Sequence, residues 1–220
     1  DNITGGNAAD IISGAANDDI LVGGSGDDII SGGDGADTIT GGANNDSLTG
    51  GAGNDTFNID SGTDIITDLT TGDIVVISNG ASLNVTGITG FVATNASSNA
   101  NASATSANLT AASGTVTIDM SDSTGKYTIT GGSGDNTLKA GKQDSVVKGE
   151  SGDDIIVGDA GADTLTGGAG NDTFTGNAGN DTFNIDSGTD IINDLGGSSG
   201  SDTDILVVSS GATVNATGIK

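Results

Sequence analysis

The sequence predicts an all-β chain wound into short stacked coils, and three observations carry that prediction. Glycine returns on a nine-residue period, an aspartate stands sixth in nearly every period, and an apolar residue stands eighth. Helix fits poorly: glycine is a weak helix former, and a nine-residue spacing does not hold one face of a helix. A tight glycine turn followed by a short strand such as Asp28-Ile29-Ile30-Ser31 fits well. Alternation along that strand sends the eighth residue to one face and its neighbours to the other.

Frames begin at Gly5, Gly14, Gly23, Gly32, Gly41 and Gly50. Their sixth residues are Asp10, Asp19, Asp28, Asp37, Asp46 and Asp55, and their eighth are Ile12, Leu21, Ile30, Ile39, Leu48 and Phe57. The register runs on through 59–67 and 68–76, keeping Asp64 with Ile66 and Asp73 with Val75. A second block starts at Gly131, Ala140, Gly149, Gly158, Gly167 and Gly176. Asn136 and Ser145 stand where the acid belongs in its first two frames; Asp154, Asp163, Asp172, Asp181 and Asp190 then restore it. Between the blocks, 113–130 places Met120 and Ile129 at the eighth position without acids at the sixth. Residues 89–112, rich in Ala, Ser, Asn and Thr, read either as a flexible linker or as irregular strands.

A longer period overlies the short one. GNDTFNIDSGTDII occurs at 53–66 and again at 179–192, 126 residues on. DIVVISNGASLNVTGI (73–88) returns as DILVVSSGATVNATGI (204–219), with five extra residues near 197–203. The expected organisation is a first block at 1–76, a connector at 77–130, a second block at 131–193, and closing strands at 194–220 that start the next connector. The tandem text points to a piece of a longer repeat protein.

Composition narrows the function classes. The formal net charge of −25 comes almost wholly from aspartate, hydrophobic residues are 33% and aromatic residues 2% of the chain. Low hydrophobicity with high net charge describes a chain that needs a counter-charge before it folds. No basic stripe exists to neutralise phosphates, so nucleic acid is not an expected partner. No apolar run has the length of a membrane span. Without histidine or cysteine, zinc sites of the usual kind, thiolate chemistry and imidazole bases fall away. Aspartates alone do not make an enzyme here, because no aromatic platform for a sugar accompanies them.

Two frames make one eighteen-residue coil, so sixth-position acids eighteen apart stack on one flank, roughly 5 Å apart at the spacing of adjacent strands. Asp10, Asp28, Asp46 and Asp64 form one column, and Asp19, Asp37, Asp55 and Asp73 the other. Two carboxylates at that separation repel by roughly 3 kcal/mol at an effective dielectric near 20. Such columns call for cations, and hard oxygen ligands beside backbone carbonyls select calcium. Glycine or asparagine dominates the places where positive φ is expected, with Ala8, Ala15 and Glu150 as less comfortable exceptions. The fifth-position acids Asp18, Asp27 and Asp153 read as solvated charge. TDIITDL and TDIINDL, with Asp64, Asp68, Asp190 and Asp194, read as a closing coil rather than a catalytic pair.

GGSGDDIIS and GGAGNDTFT resemble the G-G-x-G-x-D-x-U-x nonapeptide of the repeats-in-toxin (RTX) family, over roughly 5–76 and 131–193. The resemblance implies a right-handed parallel β-roll, a β-solenoid, with calcium between stacked turns. It implies carboxylates from both loops, with carbonyls at positions two and four of one loop and one and three of the next. One ion is so implied among Gly24, Gly26, Asp28, Gly41, Ala43 and Asp46, and another among Gly33, Gly35, Asp37, Gly50, Ala52 and Asp55. The same rule groups Gly6, Ala8 and Asp10 with Gly23, Ser25 and Asp28, and Ala15, Asn17 and Asp19 with Gly32, Asp34 and Asp37. It joins Gly42, Asn44 and Asp46 to Asp64, and Gly51, Gly53 and Asp55 to Asp73. In the second block Gly149 and Ser151 stand at the first site. Glu150, Gly152 and Asp154 meet Gly167, Ala169 and Asp172, while Asp159, Gly161 and Asp163 meet Gly176, Ala178 and Asp181. Gly168 and Gly170 lead on to Asp190.

About four or more Ca2+ ions are expected in the first block and two or more in the second. The function implied is a calcium-binding structural module of a large secreted bacterial cell-surface protein, of surface-layer or adhesin type, folding and assembling after export. Its expected partners are calcium and neighbouring copies of itself in a tandem rod or surface lattice. The alternative is a calcium-dependent export and folding module of a type I-secreted toxin or hydrolase whose catalytic domain lies elsewhere. Ice binding would want a threonine ladder, but position three reads Asn7, Ala16, Ser25, Asp34, Ala43 and Ala52.

Overall fold

Strands that begin at or shortly before position seven of each frame pair in parallel with their counterparts one coil away. In the first block Asn2–Gly6, Ile20–Ser25, Thr38–Ala43, Thr56–Ile59 and Ile74–Ile77 share one sheet, and Ile11–Ala16, Ile29–Asp34, Ser47–Ala52 and Thr63–Ile66 lie in another. The register is a shift of eighteen: Leu21 pairs with Ile39, Ile30 with Leu48, and Phe57 with Val75. The computed structural model describes residues 1–78, 81–93, 97–100, 107–196 and 202–217. It is an all-β solenoid of stacked parallel sheets. Among the described residues there is no helix, and so none long and apolar enough to cross a membrane.

The connector does not interrupt the stack. The second sheet runs through Ser82–Ile88, Ala107–Ala111 and Thr128–Ser133 and on to Ile205–Val208, eleven strands in all. The other side is divided: a six-stranded sheet ends at Ser98–Asn99, and a seven-stranded sheet begins at Phe91–Val92 and ends at Thr213–Ala216. Of the 89–112 stretch, 94–96 and 101–106 lie outside the described residues, as do 197–201 and 218–220 near the second closing coil. The described parts of 89–112 contribute strands to all three sheets.

Coil length changes through the connector. The shift is 19 residues from Asp64 to Leu83, 24 from Leu83 to Ala107 and 20 from Leu109 to Ile129, returning to 18 from Ile129 to Val147. One reading of the sequence is corrected by this. Met120 does not hold the eighth position: Ile118 pairs with Leu138, and Met120 falls two residues further on. A twenty-residue coil cannot keep a nine-residue frame, so the frame carried back from Ile129 slips by two.

Every eighth-position residue of the two blocks, from Ile12 to Phe57 and from Leu138 to Ile192, is buried in one continuous core. Burying side chains of this size contributes about 1.5–3 kcal/mol each. The connector adds Leu83, Val85, Ile88, Phe91, Leu109 and Val116 to the same core. Phe174 and Phe183 meet edge-to-face with centroids 6.1 Å apart, a favoured aromatic geometry. The residue one step earlier points outward, leaving Ile11, Ile29 and Ile155 exposed.

The turns need left-handed backbone. Gly24 has φ of 115°; non-glycine residues accept the same region at Asn17, Asn44, Asp159 and Asn177, and also at Ala15 and Glu150. Ala8 is not among the positive-φ residues. Two outcomes follow for the calcium-loaded chain. Leu48→Ala, which empties a fully buried site, is expected to cost about 2–5 kcal/mol in chemical denaturation. Ala15→Gly, which relieves a φ of 82°, is expected to stabilise by about 1 kcal/mol in the same assay.

Candidate metal centres

The sixth-position aspartates are built into the structure twice over. Their strands pair in register, and each carboxylate Oδ1 accepts a hydrogen bond from the sixth-position N–H of the previous coil. Asp10, Asp19, Asp28 and Asp37 donate in this way to Asp28, Asp37, Asp46 and Asp55 at 2.8–2.9 Å. Asp46 and Asp55 donate to Asp64 and Asp73 at 3.0 and 2.9 Å. In the second block Asn136, Ser145, Asp154, Asp163 and Asp172 donate to Asp154, Asp163, Asp172, Asp181 and Asp190 at 2.6–2.9 Å. From Asp19 to Asp73 and from Asp154 to Asp190 these aspartates are buried, whereas Asp10 is half-buried.

The second oxygen is a different matter. Oδ2 of Asp19, Asp28, Asp37, Asp46, Asp64, Asp154, Asp163, Asp172 and Asp181 is buried with no hydrogen-bond partner among the described residues. Leaving one charged acceptor in that state is costly, and here it recurs along both columns. Burial accordingly pushes the Asp64 carboxyl up to about 7, with Asp46 adding repulsion. Burial likewise raises Asp163 to about 8, and Asp172 and Asp181 to about 6. Asp46, Asp55, Asp154 and Asp190 are also raised, burial being the main cause.

Backbone oxygens converge beside these orphaned atoms. A Cβ placed on Gly23 would collide with both Asp28 Oδ2 and the carbonyl oxygen of Gly41. Gly14, Gly32 and Gly149 show the same cradle, formed by Asp19 with Gly32, Asp37 with Gly50, and Asp154 with Gly167. Position-two and position-four carbonyls, among them those of Gly6, Ala15, Gly24, Gly33, Gly35, Asn44, Glu150, Gly161 and Gly170, face the next coil closely. Position-three carbonyls are partly engaged: Ala43, Ala52, Ser151, Ala169 and Ala178 accept from the position-four N–H of the previous coil at 2.7–3.1 Å. No three acidic side chains converge among the described residues. A cation bound here would therefore draw ligands from backbone oxygen as well as carboxylate, and an all-oxygen donor set fits calcium.

The two frames without acid show the same geometry settled by a proton donor. Asn136 Oδ1 accepts from Val116 N–H at 3.0 Å while its Nδ2 donates to the Gly134 carbonyl at 2.7 Å. Ser145 Oγ accepts from Tyr127 N–H at 3.3 Å and donates to the Gln143 carbonyl at 2.7 Å. Each donates to the position-four carbonyl of its own turn. A carboxylate in the same place has no hydrogen to donate, and in nine frames its Oδ2 is buried without a partner among the described residues.

Sequence reasoning missed Asp204. Asp181 N–H donates to its Oδ1 at 2.9 Å, so it continues the column after a 23-residue coil. The match of 204–219 to 73–88 was the signal, since Asp204 falls opposite Asp73. Both of these acids have their second oxygen satisfied, by Thr70 N–H at 2.8 Å for Asp73 and by Gly196 N–H at 2.6 Å for Asp204. Asp68 grips Gly50 and Gly51 N–H at 2.9 and 2.8 Å, and Asp194 takes Asn177 N–H at 3.1 Å. The fifth-position acids are exposed but hold an outer ladder. Asp18, Asp27 and Asp153 accept from Ala36, Asn45 and Asn171 N–H one coil later at 2.7–3.1 Å.

Two outcomes test this geometry. A raised carboxyl favours the folded state below its unfolded value near 4, and that gain is lost as pH climbs through the folded values of about 6 to 8. Calcium-stripped protein is expected to show more strand by circular dichroism at pH 5 than at pH 8.5, and calcium affinity is expected to fall over the same descent. Asp28→Asn is expected to bind fewer ions by calorimetric stoichiometry while staying folded in calcium. Its amide would donate to Gly26 as Asn136 does to Gly134.

The model of the RTX calcium-binding nonapeptide repeat (4 copies) matches residues 1–30, 31–66, 130–165 and 157–192, together more than half of the chain. No curated protein matches it. The matched stretches contain all nine orphaned carboxylates, and the unmatched interval between them, 67–129, takes in nearly all of the connector. By its repeats and its β-solenoid fold, this chain belongs to the RTX calcium-binding nonapeptide-repeat family.

Proposed function

We propose that this chain is a calcium-folded structural segment of a large secreted bacterial cell-surface protein. The observation that carries the reading is the set of nine buried Oδ2 atoms without a partner among the described residues, five of which (those of Asp19, Asp28, Asp37, Asp154 and Asp163) lie beside a backbone carbonyl of the next coil. The sites joining Asp28 to Asp46 and Asp37 to Asp55 in the first block, and Asp154 to Asp172 and Asp163 to Asp181 in the second, have the best-supported donors. Calcium bound there supplies positive charge to the carboxylate columns. The chain's own part is to hold the oxygens in register, through the sixth-position ladder and the glycine cradles. Asp73 and Asp204, whose oxygens already have donors, serve to close the columns.

The RTX β-roll is a structural calcium-binding fold. A role at the surface is supported by the 126-residue tandem text and by the unbroken eleven-stranded sheet, which suit an extended rod or lattice element. Millimolar calcium outside the cell and scarce calcium inside would delay folding until export, since extracellular calcium modules commonly bind at about 0.1–1 mM.

Circular dichroism and small-angle scattering, with calcium and with excess chelator, test the folding claim. Calcium is expected to raise strand content and shorten the radius of gyration; identical signals in both states would sink it. Electron microscopy of the calcium-loaded protein separates the roles: sheets or lattices support the surface-layer form, and isolated rods an adhesin spacer. A hydrolase or pore-forming domain in the parent sequence would favour an export module instead.

A further inference from the structure

Charge is spread unevenly along the solenoid. The chain carries −25 in all, yet residues 74–148 hold four aspartates and four lysines, so this third of the molecule is formally neutral. Lys126 pairs with Asp144 at 2.9 Å and Lys139 with Asp119 at 2.7 Å. Those contacts hold the Asp144 carboxyl below its ordinary value, and they hold Asp119 down against the raising effect of its burial.

The buried columns change character over the same span. On the flank of the long sheet, Asp64 pairs with Leu83 and Leu83 with Ala107, and the position then passes through Tyr127 and Ser145 before Asp163. All four intervening residues are buried. On the other flank Val116 and Asn136 precede Asp154. The orphaned oxygens stop at Asp64 and resume at Asp154. Here Leu83, Ala107 and Val116 are buried and apolar, while Tyr127, Asn136 and Ser145 donate to the carbonyls of Thr124, Gly134 and Gln143 in their own turns.

We propose that the described residues of 74–148 form a calcium-independent keystone. This segment folds without a cation and presents a finished coil on each side, on which calcium-dependent coils then stack. The proposal rests on the calcium reading of the two flanks. It differs from that reading in its consequence: at low calcium the chain is a folded middle with two unfolded arms, and cation concentration sets how far the solenoid extends toward each end. The physical basis is that burying apolar groups and satisfied neutral donors needs no counter-ion, whereas burying unpaired carboxylates does.

Hydrogen exchange read by mass spectrometry on the whole chain tests this. In chelator, amides in 81–93 and 107–148 are expected to be protected about 100-fold more than those in 10–55 and 163–190, the difference between a cooperative unit and an unfolded arm. With calcium, all four stretches are expected to be protected. Equal, fast exchange of the middle and the arms in chelator would overturn the keystone. Failure of calcium to protect the arms would instead overturn the calcium reading of the flanks and leave the keystone result standing. The double variant Asn136→Asp, Ser145→Asp is expected to lose protection over 131–148 in chelator and regain it with calcium. Unchanged protection in chelator would refute the role given to these neutral side chains.

Discussion

Everything in this structure answers to one constraint: rows of like charge held out of water. A buried carboxylate oxygen with no donor costs free energy, and a column of them repeats that cost coil after coil. On the calcium reading proposed above, the same columns are where a divalent cation would offset that cost. Glycine at the first position follows from it, since any side chain there would stand where Asp28 Oδ2 and the Gly41 carbonyl meet. The lean core follows too. With one buried position in each frame given to aspartate and another to glycine, apolar burial alone is a weak driver, and on the calcium reading binding free energy would become folding free energy.

Much of this was legible in the sequence. The nine-residue frame set the strands, the eighteen-residue register and the buried eighth-position residues, because a strict period leaves few arrangements open. The chain lost legibility wherever the period broke. The five-residue insertion hid Asp204, although its flanking text matched that of Asp73. The twenty-residue coil shifted Met120 out of the place the frame gave it and put Ile118 there. The outer ladder from Asp18, Asp27 and Asp153 was invisible for another reason: a solvent-exposed acid looks the same in sequence whether or not it accepts a backbone N–H.

The degenerate frames are the most informative residues in the molecule. Asn136 and Ser145 keep the backbone of the carboxylate frames while removing the charge, and each places a hydrogen against the carbonyl of its own turn. They act as an internal control written by the chain itself. The contrast between Asn136 and Asp154, one coil apart on the same column, isolates what the carboxylate adds: a buried oxygen that nothing among the described residues satisfies.

The grip of Asp68 on the amides of Gly50 and Gly51 has a consequence beyond closing a column. Near-identical repeats are prone to slippage, because a chain displaced by one whole coil would re-form almost every contact it lost. Uniform pairing cannot count its own turns, just as a strand without a distinctive face cannot hold its register. The latch cannot count either, because Gly23, Gly32 and Gly41 open turns with the same Gly-Gly amides. What Asp68 does at Gly50 and Gly51, and Asp194 at Asn177, is tie the last loop of each block to its closing coil. The number of coils in a block is therefore free to change by whole units, as long as the latch still finds the last loop.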